Sequence, residues 1–261
     1  MSAEPQDPTP GARIGIEGLR NIRDLGGWAT PTGVVRHGRL FRSDRLDELT
    51  PASHETLDAM GISTVVDFRY QSERDEAPSK LWSSVTNHVE IPMGPKETLR
   101  GSFIERVQRG EFDGLTDDTI VEMYQELLRD HRAGFIAAIE EMVNGGPALF
   151  HCSAGKDRTG VMAMLVLSVL GVSEDDIVAD FDLTNTYRTG SRMEEMAEVF
   201  TEIGLDVEDF RPIMSAPVPA MRAALEWIRS EYGTAEAYLL EGGMDQATVD
   251  RMRSELIVTS S

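Results

Sequence analysis

Apolar runs of strand length alternate with stretches of helical periodicity along most of the chain. Two runs, residues 62–68 and 148–150, are rich in Val, Ile, Leu and Phe and are typical of buried strands, and residues 85–91 are predicted as another strand that stops at Pro92. A hairpin is predicted around residues 31–33, with the chain returning along 34–41. This order of elements predicts a mixed α/β domain with a central, mostly parallel sheet flanked by helices.

Helices are predicted wherever apolar residues recur at a spacing of three or four. Thr50 and Pro51 are typical of a helix start, and Ser173 with Asp176 resembles a capping box. The helical segments expected from this periodicity are 51–60, 99–107, 120–128, 133–143, 161–167, 177–187, 192–203, 220–232, 235–240 and 248–256.

The composition indicates one globular domain over residues 13–261, preceded by a disordered tail over residues 1–12. No apolar run is long enough for a membrane span, and no signal peptide pattern is present. The sequence therefore predicts a cytoplasmic protein, or one secreted without a recognisable signal peptide. The net charge of −20 argues against nucleic acid as a partner.

One cysteine excludes an internal disulfide framework and a clustered thiolate metal site. The five histidines lack metal-ligand spacing, so we expect neither a metal nor another cofactor.

That single cysteine opens the segment of greatest chemical interest, residues 151–160, which reads His-Cys-Ser-Ala-Gly-Lys-Asp-Arg-Thr-Gly. It lies between a predicted strand and a predicted helix, where free backbone N–H groups and the helix dipole favour anions. Five residues separate Cys152 from Arg158, enough for the loop to wrap around a tetrahedral anion while Arg158 closes the far side.

The same positive field favours the thiolate form of Cys152, which can attack a bound phosphate and form a phosphocysteine. Thr159 is placed to hydrogen-bond the sulfur when the intermediate is hydrolysed. The residues expected to bind substrate through this loop are Ser153, Ala154, Gly155, Lys156 and Thr159.

The Cys-x5-Arg spacing resembles the protein tyrosine phosphatase superfamily, and the whole chain resembles its bacterial tyrosine and lipid phosphatases of the PtpB type. The companion segments that carry this resemblance are 21–27, 38–43, 65–69 with Glu73, 180–181 with 184–185, 232–233 and 238–239. The resemblance implies a phosphatase-like α/β fold and hydrolysis of phosphotyrosine. The resemblance also implies activity on phosphoserine, phosphothreonine and phosphoinositides, so the expected partners are phosphorylated proteins or inositol phospholipids.

The related enzymes also carry a pair of helices as a mobile lid, which corresponds here to residues 96–130. The alternative is a pair of amphipathic helices docked permanently on the core.

Most tyrosine phosphatases take their general acid from a Trp-Pro-Asp segment, and this chain contains none. Three candidates remain: Asp157, Asp67 and Glu97. The resembled enzymes use the loop aspartate, and repulsion from a bound phosphate keeps Asp157 protonated. Asp67 has the alternative role of holding Arg69 or Arg158 in place.

Lys156 adds positive charge suited to a polyanionic head group, or it pairs with an acid such as Asp157. His151 is expected to order the loop or tune the thiol. Arg23 and Asp24 either brace the loop or form an ion pair that holds the turn at residues 26–27. Two other functions stay open: a phosphate-binding pseudoenzyme and a rhodanese-like sulfurtransferase, which also attacks from a cysteine on such a loop.

Overall fold

A computed structural model of the chain describes residues 9–94, 103–112 and 116–259. Its main sheet has five strands, in the spatial order β1 (Arg23–Asp24), β4 (Leu40–Ser43), β7 (Ala148–His151), β5 (Thr64–Asp67) and β6 (Asn87–Glu90). The last four strands are mutually parallel, and β1 is antiparallel at the edge. The predicted fold class, a mostly parallel sheet flanked by helices, is confirmed.

The two central strands β5 and β7 are apolar and buried on both faces, whereas β6 at the edge alternates half-buried and exposed residues. Val65, Val66, Leu149 and Phe150 have no exposed surface. The register pairs Val66 with Phe150, and one step further the polar ends of β5 and β7 lie side by side. This carboxyl edge is where open α/β sheets build their sites.

Eleven helices are described, and the short segment Val207–Phe210 is a 3₁₀ turn. The helices are α1 (Pro51–Ala59), α2 (Gln71–Glu76), α3 (Phe103–Gln108), α4 (Asp117–Asn144), α5 (Asp157–Val169), α6 (Glu174–Thr184), α7 (Gly190–Glu202), α8 (Arg211–Met214), α9 (Val218–Tyr232), α10 (Ala235–Glu241) and α11 (Gln246–Leu256). Thr50 caps α1 and Ser173 caps α6 through their side chains, as the sequence predicted.

The helices predicted over residues 120–128 and 133–143 form the two halves of α4, which kinks between them at His131 (φ −118°, ψ 17°). The predicted end of the lid, residue 130, therefore lies at this kink and not at a loop. Ile120, Tyr124 and Leu128 are buried in the main core together with residues from the second half of α4. Of the rest of the predicted lid, residues 96–102 and 113–115 lie outside the described residues.

A break between two helices was also predicted between residues 187 and 192, where the structure has none. The chain passes from α6 into α7 through one π-helical turn, Asn185–Thr189. The wider turn is tied to the segment before α9, since the side chain of Asn185 accepts from the N–H of Ala216 at 2.7 Å and donates to its carbonyl at 3.0 Å.

The last residues of the predicted tail, 9–12, form a turn, and the hydroxyl of Tyr187 donates to the carbonyl of Gly11 at 3.1 Å. Residues 1–8 lie outside the described residues.

The predicted hairpin is present as β2 (Ala29–Thr30) and β3 (Gly33–Val35), but it belongs to a second sheet completed by β8 (Ile257–Thr259). The sequence did not predict β8, because its three residues directly follow a helix and are too few to show alternation. Of the helices in the described ranges, none is long and apolar enough to cross a bilayer.

We predict that Gly33→Ala weakens this small sheet, because the new methyl group would lie 2.0 Å from the carbonyl oxygen of Val258. Urea unfolding should show a loss of about 1–3 kcal/mol. Gly190→Ala is the matched control: no atom lies within 4 Å of its added carbon, and stability should stay or rise by up to about 1 kcal/mol. Equal unfolding midpoints for the two variants would contradict the tight strand pairing.

Candidate active site

The segment around Cys152 joins the central strand β7 to the N-terminus of α5. Cys152 is 2 % exposed and follows directly after the strand. The helix begins at Asp157, with Lys156 as its N-cap, four residues before the apolar run that predicted it. Arg158 therefore lies in the first helical turn, so its position is fixed by the helix.

The backbone amides of this loop have no acceptor within the described protein. No N–H from Ser153 to Arg158 donates to a main-chain or side-chain acceptor in the described ranges. Gly155 turns the chain at φ +66°, and a side chain there would lie 2.5 Å from the carbonyl oxygen of Ser43. Free amides at the positive end of a helix make the loop an anion site.

The carbonyl groups of the loop point the other way, into the protein. Nδ2 of Asn21 donates to the carbonyls of Ala154 and Gly155, both at 3.0 Å. Nη2 of Arg42 also donates to the carbonyl of Gly155, at 2.9 Å. These bonds hold the peptide units with their N–H groups outward.

A buried ionic cluster of Arg23, Arg42 and Asp180 supports these donors. The Asp180 carboxylate accepts from Nε of Arg23 at 2.9 Å and from Nη1 of Arg42, and no member is more than 1 % exposed. Burial, with repulsion from Arg23, lowers the pKa of Arg42 to about 10, so Arg42 is charged at neutral pH. Two positive charges and one negative charge leave net positive charge beneath the loop.

Arg158 is held by a fork-to-fork ion pair with Glu73, with N–O distances of 2.7 and 2.8 Å. Glu73 also accepts from the hydroxyl of Ser153 and from the N–H of Tyr70. Burial alone would raise the pKa of Glu73, but the bonds and charge of Arg158 lower it to about 2. Glu73 is therefore ionised at neutral pH and orients the guanidinium before any anion binds.

Asp157 and Lys156 each have a partner outside the loop. The hydroxyl of Tyr124, which is buried in α4, donates to Oδ1 of Asp157 at 2.6 Å. Lys156 Nζ donates to the carbonyl of Ile213 and lies 3.6 Å from Oδ2 of Asp157. Asp157 remains 45 % exposed, whereas the Lys156 side chain is 7 % exposed.

His151 and Asp67 lie behind the loop at the ends of β7 and β5. Nδ1 of His151 donates to the carbonyl of Cys152 at 3.2 Å, and burial lowers the pKa of His151 to about 4, so the ring is neutral. Burial would raise the pKa of Asp67, but His151, which is protonated in the acid range where Asp67 titrates, and the bonds and charge of Arg69 lower it to about 2. Asp67 binds Arg69 through both oxygens, as one of its two predicted roles required, and Arg158 binds Glu73 instead.

A cleft of about 260 Å³ opens over the loop. The loop residues that line it are Cys152, Ser153, Ala154, Lys156, Asp157 and Arg158, and its further walls include Arg45, Glu73, Arg106 and Arg192. In the described ranges, no group of three His, Cys, Asp or Glu side chains is arranged to hold a metal ion.

The remaining predicted residues take different positions. Thr159 is buried, and its hydroxyl has no hydrogen-bond partner among the described atoms. Arg23 acts on the loop indirectly, through Asn21, to whose Oδ1 it donates at 2.7 Å, and through Asp180, which pairs with Arg42. Asp24 does not pair with Arg23; it accepts from the N–H of Gly26 at 2.8 Å and so holds the predicted turn. Glu97 lies outside the described residues.

Sequence reasoning assigned no role to Glu73, Tyr124 or Asp180. Glu73 and Asp180 stood within the companion segments, which was the available signal. Tyr124 was placed on the apolar face of a helix, and nothing in its neighbours along the chain indicates that its hydroxyl meets Asp157.

Known proteins resemble this chain over most of its length. The model of the tyrosine phosphatase family matches residues 14–258. The triple specificity protein phosphatase PtpB of Mycobacterium tuberculosis is 30% identical over 274 residues, which cover 93% of this chain and 98% of that protein. A tyrosine-protein phosphatase of Nostoc commune is 26% identical over 224 residues, covering 82% of this chain and 73% of that protein. Among solved structures, TpbA of P. aeruginosa is 19% identical with a TM-score of 0.32, over 72% of this chain and 96% of that chain.

We predict that Asp180→Asn destabilises the protein by about 3–5 kcal/mol, because it leaves two buried arginines without a counter-charge. Asp175→Asn is the matched control, since its ion pair with Arg222 is exposed and should contribute at most about 1 kcal/mol. Both are measured by urea unfolding. A loss no larger for Asp180→Asn than for the control would show that the cluster does not support the loop.

Proposed function

The chain belongs to the tyrosine phosphatase family, and we propose that it hydrolyses phosphotyrosine monoesters through a phosphocysteine on Cys152. The observation that carries this proposal is the convergence of three features on one cleft. These are the Cys152 sulfur, the outward amides of Ser153 to Arg158 and the preoriented guanidinium of Arg158. Together they fit a tetrahedral dianion attached to a leaving group.

In the first step, the Cys152 thiolate attacks phosphorus. A sulfur–phosphorus bond forms while the bond from phosphorus to the ester oxygen breaks, and Asp157 gives its proton to that oxygen. The amides and Arg158 stabilise the charge that spreads over the three remaining phosphoryl oxygens.

In the second step, water attacks the phosphocysteine. Asp157, now a carboxylate, takes a proton from this water, and the sulfur leaves as a thiolate with release of inorganic phosphate. The buried hydroxyl of Thr159 supports this step, because it is free to donate to the departing sulfur.

Asp157 is the acid we propose among the three candidates, since it lines the cleft and is half-exposed. Asp67 has no exposed surface and is bound on both oxygens by Arg69, so it is a poor proton donor to substrate. Tyr124 is a positioning residue, because its hydroxyl bond fixes the Asp157 carboxyl above the loop.

We extend the proposal to phosphoserine, phosphothreonine and inositol phospholipids as additional substrates. The printed name of the Mycobacterium tuberculosis relative describes a triple specificity, and Lys156 adds a positive charge to the wall of the cleft. Because Lys156 is held by the carbonyl of Ile213, we assign it a field effect on the bound anion.

The two other functions considered from the sequence receive less support. A binding-only protein does not need a cysteine beneath the anion site. A sulfurtransferase does not need an arginine that Glu73 holds in position to clamp an anion.

We predict that Cys152→Ser abolishes turnover of p-nitrophenyl phosphate, with a loss of at least about 1,000-fold, because the nucleophile is removed. Release of p-nitrophenol is the measurement. Rapid quenching of the wild-type reaction should reveal one added phosphoryl group on Cys152 by mass spectrometry. Full turnover by Cys152→Ser, or transfer of sulfur to cyanide without phosphatase activity, would reject the proposed function.

We predict that Asp157→Asn acts according to the leaving group. The kcat of the variant for phenyl phosphate, which has a basic leaving oxygen, should fall by about 100- to 1,000-fold. Its kcat for p-nitrophenyl phosphate should fall far less. Asp182→Asn, on the exposed side of α6, is the matched carboxylate control. An unchanged leaving-group dependence in Asp157→Asn would reject it as the acid.

A further inference from the structure

The cleft contains cationic side chains beyond those of the phosphate loop. Beside Lys156 and Arg158, its walls include Arg45, Arg106 and Arg192, from three separate parts of the chain. Three carboxylates, of Glu73, Glu76 and Asp157, line the same opening, so five cations leave a net positive charge there, whereas the whole protein has 25 basic against 45 acidic residues. Such local fields draw polyanions to a site.

Arg45 is fixed next to the phosphate loop by its main chain. Its N–H donates at 3.1 Å to the carbonyl of Ser153, the residue that directly follows Cys152. Its guanidinium lies 3.0 Å from Asp47 and 3.5 Å from Glu48, and these side chains are 17 % and 49 % exposed. Such partly exposed pairs are weak, so a phosphate can replace them at little cost.

Arg192 approaches the same side of the cleft from α7. Burial, followed by repulsion from Arg188, lowers the pKa of Arg192 to about 10, and Arg45 contributes to the same repulsion. The acidic groups that act on it are Glu195 and Glu76, and Glu195 is itself paired with Arg188 at 2.9 Å. Like charges crowded in this way are relieved when an anion binds between them.

We infer that Arg45 and Arg192 form a second anion subsite, which binds a second phosphate on the same substrate while Cys152 attacks the first. This inference rests on the proposed function, since it places the reacting phosphate in the loop. A guanidinium fork matches phosphate oxygens in two parallel bonds, which favours phosphate as the second group.

The size of the cleft favours a compact substrate. About 260 Å³ is slightly below the usual range for small-molecule sites, roughly 300–1,000 Å³. A phosphorylated inositol ring carries two phosphates on a single small ring and fits this limit. The ring can come from a phosphatidylinositol phosphate head group or from a free inositol phosphate, which share the chemistry that the arginines recognise.

The test measures binding by calorimetry on the Cys152→Ser protein, so that no ligand is consumed. The probes are phenyl phosphate, free inositol bisphosphate, short-chain phosphatidylinositol monophosphate and a doubly phosphorylated peptide. Arg45→Gln and Arg192→Gln are each introduced, and Arg222→Gln, exposed on α9 and outside the cleft, is the control. Near-ultraviolet circular dichroism verifies that each variant is folded.

The quantity compared is the ratio of the affinity for each inositol probe to the affinity for phenyl phosphate. We expect each cleft variant to lower this ratio by about 10- to 100-fold, and we expect the control to leave it unchanged. Equal losses for phenyl phosphate would overturn the subsite, as would losses confined to the lipid or to the peptide. Charge-conserving Arg45→Lys and Arg192→Lys should restore part of the ratio, and a ratio as low as in the glutamine variants would count against charge recognition. Wild-type turnover of p-nitrophenyl phosphate tests the proposed function separately, because it requires no second phosphate.

Discussion

The hydrogen bonds that Arg42 and Asn21 donate to the carbonyl of Gly155 are the interaction on which the rest of the site depends. A peptide unit that directs its N–H to an anion must direct its carbonyl the opposite way, into the protein, where it needs a donor. One such donor is the buried Arg42, whose charge in turn needs a buried carboxylate, that of Asp180. Arg23 completes the pairing of that carboxylate. One requirement at the loop therefore ties β1, β4 and α6 to it.

This arrangement also explains how an acidic protein presents a positive site. Its net charge of −20 gives an unfavourable long-range field for a phosphate. The favourable charges are instead placed within contact distance, where solvent screens them least: the buried cluster below the loop, the amides around it and the arginines above. Selectivity for anions is thus a property of the cleft and not of the surface as a whole.

What the sequence could predict depended on distance along the chain. The strand, the loop and the helix that carry Cys152 and Arg158 are contiguous, so spacing and apolar pattern were sufficient. The partners of the loop are distant: Glu73 lies 85 residues from Arg158, and Asp180 lies 138 from Arg42. Only the resemblance to a family drew attention to their segments. The boundary predicted near residue 131 corresponds to the kink in α4, whereas the one near residue 190 is wrong, because tertiary packing joins α6 to α7 where local propensity favours a break.

The pairing of Arg158 with Glu73 has a cost and a benefit for the proposed reaction. A carboxylate near the loop weakens the attraction for a phosphate dianion. In return, the pair positions the guanidinium, and Nη1 of Arg158 also donates to the carbonyl of Phe68 at 3.2 Å, which fixes it to the carboxyl edge of the sheet. An arginine already in position spends no binding energy on ordering its side chain, and its charge stabilises the transition state with little reorganisation. The two positive charges beneath the loop and those above it compensate for the charge of Glu73, which explains why the site contains both.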